Sequence, residues 1–147
     1  MAKTDAEKTK QLRKDVAPFA KSETRVSIQQ LLNTLVPLLV IWVAGYVLLQ
    51  YSPWYTAICS IVASGFVVRA FIIFHDCTHG SFFKSKKAND IIGNITGLLT
   101  SFPYEKWKRE HTIHHATSAN LDKRGVGDID MLTVDEYLEK SKLGRLG

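Results

Sequence analysis

From Val26 through Val68 the chain contains no Asp, Glu, Lys or Arg. One bilayer crossing takes about 20 predominantly apolar residues, so this run is long enough for two. The stretch "QYSPW" (50–54) punctuates it near the middle. The pattern predicts one transmembrane helix over about 29–50 and a second over about 54–74. Pro37 and Gly45 fall inside the first, where a membrane helix tolerates both. The competing reading is a buried helical hairpin of a soluble protein. At 147 residues the chain suits one modest domain.

Charge at the flanks sets the orientation. Lys3, Lys8, Lys10, Arg13, Lys14, Lys21 and Arg25 precede the first span, and Lys84, Lys86 and Lys87 follow the second. The connecting turn has no positive residue, so the positive-inside rule puts both ends of the hairpin in the cytoplasm of a multi-pass cell-membrane protein. Tyr46, Tyr51, Trp54 and Tyr55 gather about the turn as an interfacial belt. The apolar run starts too late and is too long for a cleaved signal peptide. A net charge of +5 suits a face resting on anionic lipid. Nucleic acid is not indicated as a partner, because no stretch interleaves basic residues with exposed aromatics. Cys59 and Cys77 form neither a disulfide framework nor a metal-type pair.

The expected organisation is a basic tail (1–28), two membrane helices (29–74) and a cytoplasmic and interfacial part (75–147). The fold class is then all-α: a membrane hairpin plus interfacial helices. A third apolar run, "DIIGNITGLLTSF" (90–102), is too short to span and reads as a helix lying in the interface. Pro103 suits the first turn of a following helix. Thr133 and Glu136 form a capping-box pattern and Glu136–Lys140 an i,i+4 pair, predicting a short helix from Val134 with Gly144 near its end.

All five histidines fall in two short stretches, "HDCTHGSFF" (75–83) and "HTIHHATSAN" (111–120). His75 and His79 are four apart, so on a helix they share a face; His111, His114 and His115 stand at i, i+3 and i+4 and do the same. Neutral imidazole is the commonest metal ligand. No His-Glu-x-x-His and no cysteine set is present, so the zinc hydrolase and structural zinc patterns are missing. The Glu-x-x-His pattern of soluble di-iron bundles is missing as well. Imidazole-rich sites suit iron, copper, zinc or nickel, so ligand type alone leaves the metal open.

"HDCTHGSFF" and "HTIHHATSANLDKRGVGDIDMLTVDEY" resemble the first two histidine boxes of the membrane-bound fatty acid desaturases, bacterial acyl-lipid desaturases in particular. The similarity runs from about Gln30 to Tyr137. It implies a non-haem di-iron centre facing the cytoplasm, with His75, His79, His111, His114 and His115 as iron ligands. It further implies consumption of O2 and two electrons per double bond, membrane phospholipid acyl chains as substrate, and a ferredoxin-type electron donor. Members of that family carry a third histidine box, whereas this sequence ends at Gly147 without one. The expectation is therefore the amino-terminal part of a desaturase, inactive by itself. A related membrane hydroxylase and a non-catalytic truncated membrane protein are the alternatives.

Three neighbours of the histidines each have two readings. Asp76 either accepts the second N–H of a ligand imidazole or is a plain helix-end carboxylate. Trp107, four before His111, either packs beside the site or anchors the interface. Arg69, the only charge within the second span, either snorkels to the interface or pairs with Asp76 seven residues on. Orientation is open to direct test. With Cys59 and Cys77 replaced by alanine, cysteines placed at Ser52 and Ser85 should label from opposite sides of the membrane, Ser85 from the cytoplasmic side. Outside labelling at position 85 would reverse the topology.

Overall fold

The computed structural model describes every residue except 1–3, 20, 119, 124, 126–131 and 146–147. Lys3 of the basic flank and part of the second histidine-box sequence (119, 124 and 126–131) thus lie outside the described residues. Among the described residues six α-helices follow in order: α1 Asp5–Val16, α2 Thr24–Leu48, α3 Pro53–Thr78, α4 Lys86–Leu99, α5 Tyr104–Thr117 and α6 Val134–Glu139. Short 3-10 turns stand at Ala17–Phe19 and Leu121–Lys123, and the described residues contain no strand. The chain divides into two compact units, Met1–Tyr104 and Glu105–Gly147.

α2 and α3 are each long and apolar enough to cross a membrane, with mean hydropathies of 2.1 and 2.2. They extend the expected spans toward the charged flanks: α2 begins at Thr24, and α3 runs without a break through His75 to Thr78. Pro37 leaves α2 continuous. Ser52 caps α3 by accepting from the Trp54 N–H, and Pro53 occupies the first turn, where its missing N–H costs nothing. The outward faces stay apolar: Leu39, Val43, Val47, Ile58, Ile61 and Val68 are all exposed.

In lipid, packing and interhelical hydrogen bonds hold helices together, since apolar burial offers little drive there. The hairpin has such a bond at each of three levels. Near the turn the Thr56 hydroxyl donates to the Gly45 carbonyl (2.9 Å), and a Cβ on Gly45 would lie 3.2 Å from that of Cys59. Midway, Arg69 Nε donates to the Oγ1 of buried Thr34 (3.3 Å). At the far end the hydroxyl of buried Ser27 donates to the Phe82 carbonyl. Arg69 therefore does not pair with Asp76. Its nearest acceptor lies across on α2, and the Asp76 carboxylate faces His75 instead.

α4 starts four residues ahead of the expected apolar run because Ser85 caps it, accepting from the Ala88 N–H (3.3 Å). Its two faces differ. Asn89, Gly93, Thr96 and Gly97 are buried, while Ile91, Ile95 and Leu98 are exposed. That stripe is the amphipathic pattern of an interfacial helix. α4 closes in a Schellman motif: the Phe102 N–H reaches Gly97 O (2.8 Å), the Ser101 N–H reaches Leu98 O (3.3 Å), and Ser101 takes the left-handed conformation at φ 62°. Tyr104, the last residue of the first unit, is buried with its ring against Gly93 and edge-on to Phe74 (centroids 5.9 Å apart).

Two helix starts carry capping boxes. Thr133 and Glu136 exchange hydrogen bonds of 3.2 and 2.6 Å and begin α6 at Val134, as the sequence predicts. The helix nevertheless ends at Glu139, well before Gly144. Lys140 has already turned to extended backbone, so the i,i+4 pair with Glu136 does not form. Thr4 and Glu7 form the same device at α1 (3.4 and 2.9 Å), within the segment expected to be a simple tail.

The glycines of the first unit separate close packing from open surface. A Cβ on Gly93 would lie 2.1 Å from Tyr104 Cε2, whereas one on Gly65 meets nothing within 4 Å. Gly93→Ala should therefore cost about 1–3 kcal/mol, as overpacking does. Gly65→Ala should be neutral or slightly stabilising. Thermal unfolding of the two variants in detergent checks the contrast.

Candidate metal centre

The first histidine pair stands at the end of α3. His75 Nε2 and His79 Nε2 face each other at 3.2 Å, with ring centroids 4.5 Å apart and planes at 70°. The other ring nitrogen of His75, Nδ1, lies 3.3 Å from Asp76 Oδ1. With Nδ1–H donating to the carboxylate, Nε2 keeps its lone pair and can accept a hydrogen bond from His79 or bind an ion. His75 and Asp76 are half-buried and His79 is exposed.

Backbone geometry fixes this pair. His79 is the C-cap of α3, and Gly80 follows with φ 68°, a left-handed conformation that glycine adopts without a Cβ clash. Ser81 N–H reaches Asp76 O (3.1 Å) and Gly80 N–H reaches Cys77 O (3.0 Å), a second Schellman motif. The Thr78 hydroxyl donates to His75 O (2.6 Å), and the Ser81 hydroxyl to Asp76 O (3.0 Å). Beyond the turn, buried Asn89 latches the loop: its amide donates to Phe83 O (2.7 Å), and its oxygen accepts from Phe83 N–H (2.8 Å).

The second set lies within the other unit, on α5. His111 Nε2 and His115 Nε2 approach to 3.0 Å, with ring planes at 85°. Trp107 stacks on His111, centroids 4.2 Å apart and planes within 24°. His114, half-buried, has its ring centroid 5.9 Å from that of His111 and 5.7 Å from that of His115. Glu110 turns from the histidine face toward Lys106 (3.9 Å). Each set thus presents one i,i+4 pair of Nε2 atoms at near contact.

Those spacings fit an ion. A histidine nitrogen binds a first-row divalent ion at about 2.1 Å, so two of them 3.0–3.2 Å apart subtend roughly a right angle at a shared metal. Without an ion, one nitrogen of each pair must donate to the other. All-nitrogen donors suit iron, copper, zinc or nickel, so the geometry admits iron without selecting it.

The sequence singled out the histidines, Asp76 and Trp107, and the structure places Asp76 on His75 and Trp107 on His111. It did not single out Gly80, Asn89 or Tyr104. The Gly80 signal was present in "HDCTHGS", where a glycine follows the last helical residue. Tyr104 acts through a partner distant in sequence, Cys77, and Asn89 through the backbone of the loop just ahead of α4, at Phe83.

Compared with known proteins, residues 51–141 match the fatty acid desaturase family. The fatty acid desaturase of Bacillus subtilis (strain 168) is 54% identical over 143 residues, covering 97% of this chain and 41% of that protein. The chloroplastic omega-6 fatty acid desaturase of Arabidopsis thaliana is 37% identical over 78 residues, 52% of this chain and 17% of that one. The sn-1 acyl-lipid omega-3 desaturase (ferredoxin) of Synechocystis sp. (strain ATCC 27184 / PCC 6803 / Kazusa) is 44% identical over 52 residues, 35% of this chain and 14% of that one. The chain thus spans about two fifths or less of the length of these relatives. No solved structure matches it.

Cobalt(II), whose visible absorption reports its ligands, probes the pairing. Asp76→Asn should weaken cobalt binding to the purified chain about 10–100-fold, because the imidazole loses an anionic partner. Glu110→Gln should leave it unchanged.

Proposed function

The chain belongs to the fatty acid desaturase family, and from that premise we propose that it carries the first two histidine segments of an acyl-lipid desaturase. That enzyme introduces a double bond into the acyl chains of membrane phospholipids, using O2 and electrons from a ferredoxin-type donor. The Synechocystis and Bacillus relatives, both desaturases by name, support the reaction class, and the former supports the lipid-linked substrate and the donor. The observation that carries the reading is the facing Nε2 pair on each histidine helix, at 3.2 and 3.0 Å, inside the family-matched region.

His75, His79, His111, His114 and His115 would be ligands contributed by this chain to the non-haem di-iron centre of the complete enzyme. An unactivated methylene has no acidic proton for side chains to remove, and iron when bound would supply the activation of O2 that such a C–H bond demands. The chain's own residues do the rest. Asp76 would hold the His75 ring by accepting its Nδ1–H, which orients Nε2 toward an ion. Trp107 fixes the plane of His111 by stacking. The long apolar helices α2 and α3 would anchor the chain in the bilayer that holds the acyl chains, with His75 and His79 at the end of α3. By charge at its flanks, the hairpin faces the cytoplasm with both ends, where a soluble electron donor can reach the histidines.

The test is expression of a full-length desaturase that carries these 147 residues, in a host without acyl-lipid desaturases, followed by mass spectrometry of its phospholipids. Acyl chains two hydrogens lighter are expected, and His111→Ala should abolish them while membrane insertion persists. Insertion rests on spans that contain no histidine before the end of α3. A hydroxylated acyl chain in place of the unsaturated one would move the protein to the hydroxylase reading. Near wild-type product from His79→Ala or His111→Ala would remove the ligand assignment.

A further inference from the structure

We propose that Tyr104 is a positioning residue for the first histidine pair: its hydroxyl fastens the last turn of α3, and so sets the approach of His79 to His75. The inference rests on the reading of those histidines as metal ligands. Tyr104 is 3% exposed, and its hydroxyl bonds to Cys77 O at 2.9 Å and to Asp90 Oδ1 at 3.2 Å. Cys77 lies between the two histidines in sequence, and its carbonyl also accepts from Gly80 N–H, the bond that closes the helix behind His79. The phenol thus completes the outward side of the same peptide whose inward geometry fixes the C-cap.

The site is shaped for this ring. Gly93 leaves the space that it fills, since a Cβ there would sit 2.1 Å from Cε2 and 2.7 Å from Cζ. Phe74, wholly buried, meets it edge-on. Asp90, on α4 one turn before Asn94 and one position after the loop latch Asn89, shares the same phenolic proton as a second, longer acceptor. Three segments therefore meet at one oxygen: the end of α3, α4 and the start of α5. Removing that oxygen leaves the ring seated and leaves the other capping bonds in place. The Cys77 carbonyl then loses the phenol as a donor, and the last turn gains freedom where His79 is attached.

A ligand pair held at 3.2 Å is sensitive to such freedom. An ion must draw both nitrogens to one point, and a looser turn adds an ordering cost to that step. Tyr104→Phe should thus weaken binding by about tenfold, the low end of the range for residues that orient ligands. It should also shift the visible absorption of bound cobalt toward a lower-symmetry pattern.

The experiment is cobalt(II) titration of the full 147-residue chain in detergent, for the wild type, Tyr104→Phe and His79→Ala, with thermal unfolding of each apo protein. The expected result is strong loss of binding in His79→Ala. Tyr104→Phe should show about tenfold weaker binding with an altered spectrum, and Asp90→Asn, which keeps an acceptor for the phenol, wild-type behaviour. If His79→Ala binds cobalt as the wild type does, the ligand reading itself fails. If His79→Ala loses binding while Tyr104→Phe keeps both affinity and spectrum, the positioning role fails alone, even where its unfolding temperature falls. Tyr104 is then only a packing residue.

Discussion

An α-helix leaves its last four carbonyls without intrahelical donors, and α3 must end with both histidines of its final turns held in place. The solution is dense. His75 O accepts from the Thr78 hydroxyl and the His79 N–H, Asp76 O from the Ser81 N–H and hydroxyl, and Cys77 O from Gly80 N–H and the Tyr104 hydroxyl. An unsatisfied buried carbonyl costs about 1–3 kcal/mol, and that penalty gives the turn one favourable arrangement. The histidine geometry follows from it. The loop beyond depends on it too, because the Phe82 carbonyl receives Ser27 and the Phe83 backbone is latched by Asn89.

The rest of the first unit repeats this logic at lower density. α2 and α3 present apolar faces outward, so what orders them is a few small or polar contacts: Gly45 against Cys59, Thr56 on Gly45, Thr34 with Arg69, Ser27 on Phe82. Arg69 shows how such a contact redirects a charge. Asp76 lies on the same helical face seven residues away, but the Thr34 hydroxyl across the interface is within reach and the Asp76 carboxylate is engaged with imidazole. A cation in an apolar span takes the nearest acceptor that costs least to order, and here that acceptor is a neutral hydroxyl.

What could be read from the sequence follows the range over which each signal acts. The hairpin was legible because the absence of charge from Val26 to Val68 is a property of consecutive residues. The shared histidine faces were legible because helical spacing is local. The Thr133 and Glu136 box placed the start of α6 correctly, although the helix ended early; nothing near Glu139 announces the extended Lys140. The equivalent Thr4 and Glu7 box was equally visible and was hidden by reading the segment as a charged tail. Tyr104, Asn89 and Gly93 were illegible for a different reason. Each matters through a partner on another segment, and a lone tyrosine, asparagine or glycine in a mixed stretch carries no mark of that partner.

The two histidine pairs share a spacing and differ in what holds them. His75 is fixed by a hydrogen bond to a carboxylate, which orients the ring and also draws its Nδ1 proton, so that the free nitrogen becomes a stronger donor. His111 is fixed by the face of Trp107, which sets the ring plane and supplies no formal charge. The carboxylate near the second set, Glu110, is taken by Lys106. Two pairs with similar nitrogen separations, 3.2 and 3.0 Å, are thus set among different neighbours. The Asp76 carboxylate stands behind the first pair and the Trp107 ring beside the second.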